Sequence, residues 1–356
     1  MRHLPFALCA LPLAASVVAA FVSPATFPAG ALLALGFPLF YLLCLAAFVV
    51  ALLLRRRTGR AWVTPLLALA LATSPARSYL PLNIARAIPA GADTLRILSF
   101  NTRNFGGHEA DSDGRGYVAG FMADAGADIV CFQEGAGEPE FYTDEALPLL
   151  RERFPYTDLY LPEHGSPMGI LSRWPVVGRT FVTRSGTNHA IAYTLVRPGG
   201  DTLRVVNCHL ASVGYTLEQL DGYADGLHSG FTRSGAIGRA ADMARAFCQS
   251  AERRARMADT VANYVAAHRG ESLIVCGDLN DTPVSYTART VRGPLTDAYR
   301  AAGHGLGRSY NRSGIAVRID HLFCSPDWTP ARCSVVPVFT SSDHYPLLAT
   351  LYRPAP

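Results

Sequence analysis

The chain has 356 residues, 32 basic and 28 acidic side chains and a net charge of +4. That length accommodates one large domain with additional segments, and so modest a charge does not by itself identify a nucleic-acid binder. Lys is absent, so every fixed cation is Arg, and none of the eight Cys falls in the close C-x-x-C spacing of a zinc or redox site.

The apolar excess lies at the N-terminus. Residues 4–22 and 31–54 are uncharged apolar runs, and 61–82 is a weaker third run interrupted by Pro75 and Arg77. A helix needs about 20 apolar residues to cross the hydrocarbon core, so residues 1–82 are expected to be a transmembrane region with helices near 4–22, 31–54 and 61–82. The cluster Arg55, Arg56, Arg57 and Arg60 should stay cytoplasmic. With the third run spanning, everything after it lies on the outer side of an inner membrane; without that crossing, it is cytoplasmic.

A linker, 83–93, precedes a different texture from Thr94 onward. Strands are predicted at 95–100, 129–133, 169–172, 191–196, 203–210, 272–277, 319–324 and 347–352. Several are continuous apolar runs, the pattern of strands buried on both faces. A helix is predicted over 117–125 and a longer one over 236–268. Met243, Phe247, Ala251, Ala258, Val261 and Val265 recur there at helical spacing, with Arg254 near the same stripe. Residues 214–235 read as a long, polar, Gly-rich loop. Buried free thiols are the expected state of Cys131, Cys208 and Cys276, and Cys324 with Cys333 is the one candidate disulfide.

Polar residues recur where these strands end. Asn101 follows the first and Gln133-Glu134 the second; a Glu at a buried strand end is costly unless a cation or partner offsets it. Asn207 and His209 share one strand face. Asp278 and Asn280 share a face as the strand opens into Asp281-Thr282-Pro283, where the chain turns. Asp320 sits on a later strand, and Ser342-Asp343-His344 precedes the last.

In this order, Asn101, Gln133-Glu134, Asn207-x-His209, Gly277-Asp278-x-Asn280, Asp320 and Ser342-Asp343-His344 resemble the motifs of the endonuclease/exonuclease/phosphatase (DNase I-like) superfamily, over nearly all of 94–353. With the apolar N-terminal part, the chain looks like membrane-anchored bacterial members. The resemblance implies an α/β fold, a four-layer sandwich of two packed β-sheets flanked by helices. It implies hydrolysis of a phosphoester, in nucleic acid or a phospholipid head group, with Mg²⁺, or Mn²⁺ in its place. Glu134, with Asn101, would hold the metal, and Asp343 would serve the metal or orient its neighbours. Asp278 would prepare the attacking water. His209 and Asn280 would hold phosphoryl oxygens, and His344, steadied by Asp320, would meet the scissile phosphate. The chain departs from the pattern in the middle stretch, where Glu163 and His164 are the candidates for a phosphate-supporting residue. Arg173 either contacts phosphate or closes the turn before Pro175. The expected partners are the phosphoester substrate and the lipid bilayer, with no protein partner. The competing reading is a membrane-anchored module that binds a phosphate ligand without catalysis.

Overall fold

A computed structural model describes residues 4–106, 113–213, 233–312, 315–337 and 342–354. Most of the predicted loop 214–235 lies outside the described residues.

The N-terminal runs form α1 (Leu4–Ala19), α2 (Gly30–Leu35), α3 (Phe37–Leu53) and α4 (Val63–Tyr79), with one helical turn at Arg55–Thr58. Among the described residues, no helix is long and apolar enough to cross a membrane. The expected spans 4–22, 31–54 and 61–82 are each cut short for a local reason. After α1 the chain turns at Ala20 and Phe21, ahead of Pro24. Gly36 separates α2 from α3, where Pro38 occupies the first turn and has no N–H to continue the earlier helix. Leu80 precedes Pro81, a position that disfavours helical backbone. Pro75 does not stop α4, which continues to Tyr79. The 16 or 17 residues of α1, α3 and α4 extend about 25 Å at 1.5 Å per residue.

Beyond this bundle, two six-stranded mixed sheets pack face to face. The strands are β1 (Asp93–Asn101), β2 (Ile129–Gln133), β3 (Tyr156–Tyr160), β4 (Met168–Ser172), β5 (Val176–Ser185), β6 (Asn188–Val196), β7 (Thr202–His209), β8 (Leu273–Asp278), β9 (Thr296–Asp297), β10 (Tyr310–Arg312), β11 (Ile315–Val317), β12 (Asp320–Cys324), β13 (Thr329–Val335) and β14 (Leu347–Arg353). One sheet runs β13-β14-β1-β2-β4-β3 and the other β5-β6-β7-β8-β12-β9; β10 and β11 form a separate hairpin. Each six-stranded sheet has one parallel pair, β1/β2 and β7/β8, with antiparallel neighbours.

Alternation along the strands builds the layers. Ile97, Ile129, Cys131 and Ile170 face Tyr193, Val205, Ile274 and Leu322 across the sandwich. The intervening residues Leu98, Phe100, Val130 and Phe132 face outward, against Val118 and Met122 of α5 (Asp113–Asp124). On the second sheet, Val206, Cys208 and Val275 pack against Met257, Ala258, Val261 and Val265 of α6 (Arg233–Ala267). The predicted apolar stripe is thus buried from Ala251 through Val265, while Met243 and Phe247 are half-buried. Arg254 on that stripe is fully buried; it donates to Ala211 O at 2.9 Å and lies 3.6 Å from Asp281. Every cysteine is a free thiol, Cys324 and Cys333 included.

The segment expected to be a linker is tied down. Asn83 Nδ2 donates to Arg300 O at 2.9 Å and to Gly303 O at 3.0 Å, and Arg86 N donates to Ala331 O.

Candidate active site

The parallel strands β1, β2, β7 and β8 all end at one edge of the sandwich, and β12 begins there. In the register, Asn101 pairs with Gln133, His209 with Asp278, and Asp278 with Asp320. Strand direction alone therefore delivers Asn101, Glu134, His209, Asp278 and Asp320 to a common edge. The segment before β14 adds His344.

The close approach of β7 and β8 depends on Gly277. Its φ is +131°, and a Cβ there would lie 2.0 Å from Cys208 O. Glu134 and Asn280 also take positive φ, 49° and 52°. Asn tolerates that region better than Glu. The Glu134 backbone is held in place by Thr102 Oγ1 and Asn104 N, which donate to its carbonyl at 2.8 and 2.6 Å. Backbone strain of this kind persists where the surroundings over-determine it, often at functional sites.

Side chains from both sheets meet across the edge. Asn101 Nδ2 donates to Glu134 Oε1 at 2.9 Å and to Asp278 Oδ2 at 3.1 Å. His209 Nε2 lies 3.3 Å from Glu134 Oε1 and 3.9 Å from Asp278 Oδ2. On the other side of Asp278, His344 Nε2 stands 3.8 Å away, and its Nδ1 is 2.9 Å from Asp320 Oδ2. Asn280 N donates to Asp278 Oδ1 at 2.8 Å, while its amide donates to Leu210 O and Asp278 Oδ2. Asn280 thus fixes the Asp278 carboxylate and the strand end. Asp343 turns elsewhere, 3.9 Å from Arg103 Nε.

The electrostatics follow from burial and proximity. Burial pushes the Asp278 carboxyl up to about 6; Asp320 adds to the rise, and His344 and His209 oppose it. Burial by itself would lower the His344 imidazolium, but Asp320, Asp278 and the hydrogen bond to Asp320 outweigh it and carry His344 up to about 10. Asp320 is held below the usual carboxylate range: burial works against ionisation, and the His344 charge and hydrogen bond overcome it. The pair is therefore an imidazolium facing a carboxylate.

The donor set fits a hard divalent cation. Ligand atoms of Glu134, His209 and Asp278 all lie within 4.8 Å of one another, and the raised Asp278 carboxyl shows a burial cost that a cation would offset. The Glu134 and Asp278 carboxylates are the oxygens suited to Mg²⁺, which keeps several waters when bound, while Asn101 turns its amide nitrogen to both and its Oδ1 accepts from Arg103 N at 3.2 Å.

Of the side chains that support these groups, Asn188, Ser309 and Tyr310 were not singled out in the sequence, whereas Gln133, Asn207 and Ser342 were. Asn188 Nδ2 is 3.3 Å from His209 Nε2, from the opening residue of β6. Gln133 Nε2 donates to Asn207 Oδ1 at 2.6 Å, and Asn207 Nδ2 donates to the carbonyls of Phe132 and Gly169 at 3.0 Å; this buried bracket joins the two sheets. Ser309 Oγ accepts from Asp320 N. Ser342 Oγ donates to Asn101 O and accepts from His344 N, so it locks the His344 segment to β1. The Tyr310 ring meets the His344 ring edge-on at 5.2 Å. Asn188, Ser309 and Tyr310 carry no periodic signal, so only the register reveals them. In the middle stretch, Glu163 and His164 are exposed, whereas Ser166 and Pro167 line an open cleft with Glu134, Asn188 and His209. Arg173 closes the turn and pairs with Asp128 at 2.8 Å, at the start of β2, the end opposite Glu134.

A model of the Endonuclease/Exonuclease/phosphatase family matches residues 98–344. A separate model, described as a domain of unknown function, matches residues 5–79. A search of the curated proteins finds no match. Among solved structures, an endonuclease/exonuclease/phosphatase family protein from Bacteroides thetaiotaomicron superposes with a TM-score of 0.53 at 17% identity, covering 74% of this chain and 98% of that one. A mannosyl-6-phosphatase from the same organism gives 0.50 at 19% identity, covering 72% and 99%. ANGEL2, a 2',3'-cyclic phosphatase, gives 0.51 at 13% identity, covering 76% and 98%. At these identities the likeness shows a shared fold.

Proposed function

Because the chain belongs to the endonuclease/exonuclease/phosphatase family, we propose that it hydrolyses a phosphoester bond, in nucleic acid or a phospholipid head group, with a divalent cation, from a domain anchored to a membrane. The observation that carries the chemistry is the convergence of Asn101, Glu134, His209, Asp278, Asp320 and His344 from separate strands and a loop onto one edge.

A bound Mg²⁺ would supply Lewis-acid stabilisation of the phosphoryl oxygens. The protein's own groups do the rest. Asp320 fixes the His344 ring through Nδ1 and leaves Nε2–H to donate toward an anionic oxygen, where charge builds in the transition state. Asp278, a carboxylate at neutral pH and anchored by Asn280 N, accepts a proton from the attacking water. His209 Nε2 lies 3.3 Å from Glu134 and, as the Nε2–H tautomer, adds a further phosphate contact. No covalent nucleophile is needed.

Membrane anchoring draws support from the bundle's outer surface. Leu11, Leu42 and Leu67 are 63%, 62% and 65% exposed, one on each long helix, alongside many other bare apolar side chains. Soluble proteins rarely leave such a continuous apolar surface uncovered. Helices of about 25 Å fit a bilayer by local thinning or by flanking side chains reaching the interface. Phe37, at the start of α3, stacks on Tyr79, at the end of α4, and Val284 of the catalytic domain packs into the bundle near these ends. Arg55–Arg57 follow the far end of α3, which favours the outer side for the catalytic domain.

The test is hydrolysis by the full chain in detergent, with and without EDTA, on plasmid DNA, RNA and phospholipid vesicles. EDTA-sensitive turnover that is lost in Glu134→Gln supports the proposal. Substrate binding equal in wild type and Glu134→Gln, without turnover, would establish the binding-module reading instead.

A further inference from the structure

Away from the catalytic edge, a cavity of about 390 Å³ lies between the N-terminal bundle and the catalytic domain. Its floor is apolar: Val17 and Phe21 from α1 and its end, Leu71 from α4, and Val284 and Phe323 from the catalytic domain. Three guanidiniums also line it. Arg289 and Arg292 lie in the last turn of α7 (Tyr286–Arg292), and Arg300 on α8 (Ala298–Ala302).

These charges are poorly compensated. Among the described residues, none of the three has a carboxylate within ion-pair distance. Asp297, the one acid lining the cavity, accepts from Arg300 N as a helix cap. Arg289 stacks on the Phe21 ring at 4.0 Å, Arg300 Nη2 donates to Ser74 Oγ, and Arg292 Nε is buried without a hydrogen-bond partner. Burial and the positive charges of Arg292 and Arg77 hold Arg300 below its ordinary range, with Asp297 opposing. An apolar floor beneath a cationic rim matches a molecule with one hydrocarbon tail to bury and one anionic head to pair.

We propose that this cavity binds an anionic membrane phospholipid, its phosphate on Arg289, Arg292 and Arg300 and an acyl chain on the Val17–Leu71–Phe323 floor. The inference rests on the membrane placement proposed above, because the cavity lies at the bundle end that faces the catalytic domain. A lipid seated there bridges α1, α4, α7 and α8 and fixes how the domain stands on the bilayer.

Native mass spectrometry of the full chain, released from detergent with equimolar phosphatidylglycerol and phosphatidylcholine, tests this. A one-to-one phosphatidylglycerol adduct should form with about tenfold or greater preference, the scale of one or two charged hydrogen bonds. The adduct should be lost in Arg289→Gln/Arg292→Gln and, independently, in Ala288→Phe, at an α7 residue that also lines the cavity, each shown folded by its thermal melt. The exposed α6 pair Arg253→Gln/Arg256→Gln should retain it. Equal phosphatidylcholine binding, an adduct unchanged in the double variant, or equally tight binding of glycerol 3-phosphate alone would overturn the proposal. Glu134→Gln separates the two readings: it should abolish hydrolysis and keep the adduct. Loss of the adduct with hydrolysis intact would sink only the lipid site.

Discussion

His344 Nδ1 lies 2.9 Å from Asp320 Oδ2, and both side chains are buried, so one carboxylate fixes the ring, its tautomer and its charge. Asp320→Asn removes the charge and keeps the shape. Turnover should fall by about 10²-fold or more, the usual worth of a positioned acid–base group. The alkaline limb of the pH–rate profile should also move to lower pH, because His344 loses its main stabiliser. A profile unchanged in position would show that the pair is structural only.

The same pair makes stability depend on pH. His344 is raised from 6.5 to about 10, so the folded state holds its proton more tightly than the unfolded chain. That contribution is complete below pH 6.5 and disappears as pH rises toward 10. Asp278, raised from 3.8 to about 6, acts in the same direction at lower pH: its neutral form is favoured on folding, so stability falls as pH passes from about 4 to 6. Urea midpoints of the full chain in EDTA should decline from pH 7 to pH 9.5, and less steeply in His344→Gln. Parallel declines would remove His344 as the cause.

Cation removal should have a structural as well as a kinetic consequence. A divalent ion held at Glu134 beside Asp278 stabilises the native state by mass action. Millimolar Mg²⁺ should therefore raise the melting temperature of wild type, and the increment should vanish in Glu134→Gln. Asp343→Asn, at a residue paired with Arg103, should keep it. An equal loss in Asp343→Asn would return Asp343 to the ligand set.

Gly277→Ala should destabilise by about 3 kcal/mol or more, combining a positive-φ penalty with a forced shift of strand β7. The added methyl would overlap Cys208 O, and His209 one residue further on would move with it. Denaturant unfolding measures the loss; a wild-type midpoint would mean that the sheet adjusts freely.

The bracket between Gln133 and Asn207 should act as a unit. Gln133→Leu leaves Asn207 Oδ1 buried without its donor and should cost about 1–3 kcal/mol. Adding Asn207→Leu should cost less than the sum of the two single changes if the pair is coupled. Strict additivity in the double-mutant cycle would dismiss the bracket.

The principal strands, the long helix and most of the polar residues gathered at the sandwich edge were legible in the residue pattern. Short continuous apolar runs bounded by turn residues fit buried strands, and a polar residue at the end of each such run stands out against it. The pattern also placed the sandwich, through the order of its motifs. It could not fix the helix ends in the first eighty residues, because hydropathy averages over the Gly and Pro that end helices. Strands β3, β5, β9, β10, β11 and β13 were equally silent, being exposed, short or proline-bearing. Strand pairing in three dimensions was needed to see that Asn280 serves the Asp278 carboxylate, that Asp343 faces Arg103 and that Arg173 closes a distant turn. The reason is register: which side chains meet across two sheets depends on strand pairings between residues far apart in the chain, and no local pattern encodes them.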